Sequence, residues 1–139
     1  MTIQELSDKI KAIALDDVGL RSYYIGNTWD MSAGKEDTYP NLWLEMPILV
    51  EYSTQQKLYK TFTFSVDILM LPKLDDLPDE IDKISQCEVY ADQFLHYLRQ
   101  DSDFVIQDFP SGLTVKTINA DQACGVRLDI KVNTGRVCL

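Results

Sequence analysis

The sequence predicts an α+β fold: an antiparallel or mixed β-sheet packed by two helices, in the order α-β-β-β-α-β-β-β. Three observations predict it. In residues 58–71, Phe62, Phe64, Val66, Ile68 and Met70 alternate with Thr61, Thr63, Ser65 and Asp67, the period of two of a strand with one buried and one wet face. Ile81, Ile84, Cys87, Ala91, Phe94 and Leu98 step instead by three or four, which lines up one helical face. Strand and helix patterns do not alternate strictly along the chain, which argues against a purely parallel α/β sheet.

Residues 2–16 carry Ile3, Leu6, Ile10 and Ile13 at helical spacing, with Thr2 and Glu5 placed as in a capping box and Gly19 as the stop. Residues 20–27 read as the first strand. Residues 28–38 are polar and without periodicity, so they read as a protruding loop. Tyr39-Pro40 opens a second strand, in which Leu42, Trp43, Leu44, Met46, Ile48, Leu49 and Val50 run to Tyr52. Pro47 inside that run calls for an edge position or a bulge. The polar group Ser53–Lys57 makes a turn, so 41–52 and 58–71 form a long antiparallel hairpin. Two prolines and two aspartates make 71–78 a connection. Asp79 and Glu80 start a helix that reaches about Gln100, acidic side chains being favourable at that end. Asp101-Ser102-Asp103 ends it, and strands follow at 104–109, 113–120 and 124–133. The chain 1–139 reads as a single domain, with 134–139 as an extended tail.

Thirteen Lys and Arg against 22 Asp and Glu give a net charge of −9, the wrong sign for a protein that holds nucleic acid through its phosphates. Cys87, Cys124 and Cys138 are odd in number and lack paired spacing, so neither a disulfide framework nor, with His96 as the sole histidine, a zinc set is expected. Met1–Glu5 lacks the start of a signal peptide, and no run approaches the ~20 apolar residues of a membrane span. Synthesis in the cytoplasm, with no membrane contact, is the expectation. The glycines are isolated and open no helix, so no phosphate cradle is predicted. The acidic run Asp75, Asp76, Asp79, Glu80 and Asp82 holds prolines where a calcium loop needs glycine, and reads as a solvated helix start. No catalytic residue, cofactor site or metal site emerges, and the sequence predicts a protein that is not an enzyme.

Tyr23, Tyr24, Trp29, Tyr39, Trp43, Tyr52 and Tyr59 crowd the first half of the chain, and aromatic residues dominate interface hot spots. The segment Thr38-Tyr39-Pro40-Asn41-Leu42-Trp43-Leu44-Glu45-Met46-Pro47 resembles the strand opening of the tail-terminator and tail-completion (neck ring) family of tailed bacteriophages. In that family a Tyr-Pro opens an apolar strand that ends in a proline. The likeness continues through Phe62–Leu71, a helix with the character of Ile84–Leu98, a closing strand Lys131-Val132-Asn133 and Cys138. The resemblance implies a virion structural protein: a homo-oligomeric ring, hexamer or dodecamer, between portal-side and tail-side proteins of the neck or tail. Double-stranded DNA would be only passing cargo in its lumen. Loop and turn residues Trp29, Asp30, Lys35, Glu36, Asp37, Ser53, Gln55, Gln56 and Lys57 are the expected contacts between subunits or rings. Edge-strand addition is one way for such a ring to close. The alternative is a small non-enzymatic α+β module that binds a peptide or another protein.

Overall fold

Thr2 begins the first helix, its side-chain oxygen accepting the Glu5 backbone N–H at 3.2 Å. In the computed structural model, which describes residues 1–27, 38–53, 59–116 and 122–136, helix α1 spans Ile3–Ala12. It continues as a π-helical turn over Ile13–Asp17, closed by the Val18 N–H donating to the Ile13 carbonyl at 2.9 Å. The expected stop is a left-handed one, since Gly19 sits at φ +84°. A Cβ there would touch nothing within 4 Å, so Gly19→Ala isolates the backbone cost of that conformation. It is expected to lower stability by about 1–2 kcal/mol, read by thermal unfolding, and an unchanged melting temperature would contradict the assignment.

Six strands follow among the described residues: β1 (Ser22–Asn27), β2 (Asn41–Met46), β3 (Leu49–Ser53), β4 (Tyr59–Met70), β5 (Val105–Val115) and β6 (Cys124–Arg136). Helix α2 (Leu77–Gln100) lies between β4 and β5. The fold is thus α+β: among the described residues, two helices pack on a six-stranded mixed sheet in the order β1-β2-β4-β6-β5, with β3 pairing β4. Among the described residues β1 and β2 run parallel and the other pairings are antiparallel.

Several strand boundaries differ from the sequence reading. The expected strand 41–52 is broken at Pro47 into β2 and β3, which both pair with β4. From Leu44↔Val66 to Leu49↔Thr63 one strand advances five residues while the other retreats three, so two extra residues bulge out at the proline. The expected hairpin therefore exists, with its kink at Pro47. The two strands expected at 104–109 and 113–120 are one strand, β5, ending at Val115. Its partner β6 runs on through Thr134 to Arg136, three residues past the expected end.

Both helices cover one face of the sheet. Leu6, Ile10, Ile13 and Ala14 meet Cys87, Ala91, Phe94 and Leu98 over Leu42, Leu44, Phe62, Phe64, Val66, Ile68, Leu128 and Ile130. Asp76 caps α2 by accepting the Asp79 N–H at 3.0 Å, with Pro78 in the first turn. Ile81, expected on the core-facing stripe, is exposed, while Cys87 to Leu98 keep the predicted burial. Lys9 of α1 reaches Asp101 at 3.1 Å and Asp103 at 2.6 Å, which ties the first helix to the end of the second. These acidic partners, Asp103 first, hold the Lys9 ammonium above its ordinary pKa.

Candidate assembly surface

The far face of the sheet is not the wet face that simple alternation predicts. Trp43, Leu69 and Ala123 form a second buried cluster there, flanked by Tyr24, Tyr39 and Val115, and Tyr24 stacks on Trp43 with ring centroids 5.1 Å apart. Beside them, Asn41, Glu45 and Asp67 are buried polar side chains. Asp67, expected on the solvent side of its strand, is fully buried, because it pairs across with Trp43 in β2 and Arg127 in β6.

Arg127 Nη2 lies 2.7 Å from Glu45 Oε2, and Asp67 lies within hydrogen-bonding reach of Glu45. Apart from the Arg127–Glu45 ion pair, the carboxyl oxygens of Glu45 and Asp67 have no N–H or O–H hydrogen-bond partner among the described residues. A proton on Asp67 resolves this, since the acid then donates to Glu45. Burial pushes the Asp67 carboxyl up to about 8, with the charge of Glu45 adding to the rise and Arg127 opposing it. The set therefore reads as one proton shared by the buried Asp67 and Glu45 and one ion pair from Glu45 to the partly exposed Arg127. Asp67 has no surface with which to touch a substrate. Glu45 and Arg127 border an open cavity of about 470 Å³, together with Ser65 and Asp129, whose side chains are hydrogen-bonded to each other.

The thiols of Cys87 and Cys124 are equally withdrawn, while Cys138 lies outside the described residues. Burial raises Cys87 to about 12 and Cys124 to about 11, so both stay protonated and unreactive near neutral pH. His96 is exposed on α2 and bonds Gln100 at 3.1 Å. Among the described residues, no three His, Cys, Asp or Glu side chains group as a metal site, and no helix is long and apolar enough to cross a membrane.

The outward-looking features lie elsewhere. Among the described residues β5 pairs with β6 alone, so its other side is an open edge. Between Gln107↔Lys131 and Ser111↔Asp129, β5 advances four residues for two on β6, which bulges Asp108-Phe109-Pro110 out of the ladder. Asp108 takes φ +55° in this bulge, and Phe109 is left 97% exposed. Val105 and Leu113, on either side, are exposed as well. A second feature is an open cavity of about 700 Å³ where β4 hands over to α2, bordered by Leu71, Pro72, Leu74 and Leu77.

No family model and no curated protein matches the sequence. The geometry therefore carries the functional reading.

Of the expected contact residues, Ser53 closes β3 on the β3–β4 hairpin and is exposed. Trp29, Asp30, Lys35, Glu36, Asp37, Gln55, Gln56 and Lys57 lie outside the described residues. Phe109 was not among the residues singled out from sequence. The signal was Pro110: a proline inside a strand pattern marks an edge or a bulge, and the aromatic beside it then faces outward.

Proposed function

We propose that the chain is a non-enzymatic structural subunit that assembles with copies of itself into a ring, like the tail-terminator and connector rings of phage necks and tails. The observation that carries this reading is the edge of β5, where a bulge presents Phe109 at 97% exposure between the exposed Val105 and Leu113. A side chain left this exposed beside two further exposed apolar residues offers a partner an aromatic anchor, and aromatic anchors dominate interface energies. A ring covers it in every copy at once.

The net charge of −9 suits a lumen through which DNA slides, because no phosphate is held. The same charge opposes assembly, and salt relieves the repulsion by shortening its range to about 8 Å at physiological ionic strength. Neighbouring rings, portal or tail proteins would be the further partners, and the virion the place of action. Native mass measurement and negative-stain imaging of the purified chain are expected to show rings of six or twelve copies, more abundant with added salt. A solitary chain at high concentration, at every ionic strength, would end this reading.

The second reading, a peptide-binding module, rests on the straight free edge Ser111–Val115, where an extended peptide can add as a strand. It calls for a monomer whose mass rises only when peptide is supplied.

A further inference from the structure

The two faces of the sheet are closed by different material. Under the helices the packing is apolar, with Leu6, Ile10, Phe94 and Leu98 set over Phe62 and Val66. The far face is closed by a thin layer, Trp43, Leu69 and Ala123 with Tyr24, Tyr39 and Val115 at its margin, and that layer encloses polar groups. Among the described residues the buried Asn41 amide and Trp43 indole N–H have no hydrogen-bond partner, and the group that the buried Asp67 reaches is another carboxyl, Glu45. Polar groups held this way gain hydrogen bonds to water when their cover lifts, which the apolar side chains under the helices do not. The margin is also loosely built into the fold. Tyr39 and Ala123 sit in the connections that lead into β2 and β6, outside the paired strands, and Tyr24 lies on β1, the last strand of the sheet among the described residues. Local opening draws on regions of this kind.

We infer that the far layer is a proton-held latch: the hydrogen that Asp67 shares with Glu45 keeps it shut, and loss of that hydrogen opens it while the helix face stays packed. Asp67 stands directly across the ladder from Trp43, and Leu69, two residues on, shares its face. Two buried carboxyl groups within hydrogen-bonding reach of each other do not both ionise at low cost. The charged groups that face Asp67 come from two strands, Glu45 on β2 and Arg127 and Asp129 on β6. Arg127 is a single cation, 2.7 Å from Glu45 and 3.9 Å from Asp129, so two carboxylates already share it. From β1 comes the Tyr24 ring, stacked on Trp43, with its hydroxyl accepting the Thr38 N–H at 3.1 Å. β5 brings the uncharged Leu113 opposite Arg127, and both helices lie on the other face. An ionised Asp67 therefore calls for water, and water reaches it when the layer over Trp43 lifts. Burial and Glu45 hold the Asp67 carboxyl at about 8 in the closed layer, against 3.8 once it is solvated. The closed layer is thus fully favoured below the lower value and loses ground as pH rises towards the higher one. The open fraction grows by up to about tenfold per pH unit across that window and levels off above it.

Hydrogen exchange of the Trp43 indole N–H tests the latch, followed by NMR in the full chain carrying Trp29→Phe, so that one indole remains. Protection is expressed against free tryptophan amide at the same pH, which removes the base catalysis of exchange itself. It is expected to fall by up to about tenfold per unit from about pH 5 to about pH 8. It is also expected to be insensitive to urea below the unfolding transition, because a local opening exposes little surface. The backbone amides of Phe94 and Leu98 in α2 are expected to be better protected than the indole and to lose protection steeply with urea, as groups freed by global unfolding do. Asp67→Asn is expected to flatten the pH profile of the indole. If that variant misfolds, Glu45→Gln takes its place: with the like charge gone and Arg127 left to Asp67, the profile must level off at a lower pH. An indole that shows the urea dependence of the α2 amides overturns the latch, since the layer then opens only with the whole fold. A profile that is flat in the parent, or equally steep in parent and Asp67→Asn, overturns it as well.

Discussion

Asp67→Asn is expected to stabilise the protein by several kcal/mol at pH 8 and to leave it near the parent value at pH 4. The cause is the buried acid pair. With a folded pKa near 8 against a model value of 3.8, Asp67 keeps a proton in the folded chain that the unfolded chain has already released. Stability of the parent therefore falls as pH rises through that window, by about 1.36 kcal/mol per pH unit for one proton. Below pH 4 both states hold the proton and nothing is lost; above pH 8 the loss is complete. An asparagine amide has the shape of the protonated acid and offers Glu45 an N–H where the acid offered an O–H, while releasing no proton. Arg127 stays 2.7 Å from Glu45 and is not disturbed. Urea unfolding of both chains at pH 4, 6 and 8 measures the difference, which should grow with pH. Parallel pH profiles for the two chains would mean that Asp67 is not the group that holds the proton.

The same residue marks where sequence reasoning stopped. Alternation along β4 assigns one face to the core and the other to water, and for the inward-facing Phe62, Phe64, Val66 and Ile68 that was right. It contains no information about whether the second face is also packed. The signs were there in part: Trp43 and Leu69 occupy the register of Asn41, Glu45 and Asp67, and large apolar residues in the wet register indicate a second buried layer. Once Trp43 is covered, the acids beside it are buried too, and the proton and Arg127 make that burial tolerable. Helix α2 was legible because its period of three and four persists over many turns, yet periodicity names a face without saying how far the partner extends, which is why Ile81 is exposed. Strand β5 was misjudged because Pro110-Ser111-Gly112 has the composition of a turn. In the fold the ladder to β6 resumes across it, and a break in one strand became a bulge that turns Phe109 outward. For the assembly surface, the sequence pointed to aromatics crowded in the first half of the chain, around the loop and hairpin. It did not reveal which one the backbone would leave uncovered.

Gly125→Ala should lower stability by about 3 kcal/mol or more, at the upper end for added atoms in a packed interior. Gly125 pairs with Leu69 in the ladder between β4 and β6, the central antiparallel pair of the sheet. A Cβ placed there runs into the carbonyl group of Ile68, with the Leu69 Cα at 3.1 Å behind it. These obstacles are backbone atoms, so no rotamer change relieves the clash and the two strands must move apart. Their separation disturbs the hydrogen bonds on both sides of Gly125 and loosens Ile68 and Val126, which belong to the core under the helices. Gly112→Ala is the internal control. Its added Cβ meets Leu128 Cδ2 at 3.5 Å and Val126 Cγ1 at 3.7 Å, ordinary contacts with side chains, and should change stability by no more than about 0.5 kcal/mol. Thermal unfolding of the two variants beside the parent separates the cases. Equal melting temperatures for all three would mean that β4 and β6 do not approach as closely as their register requires.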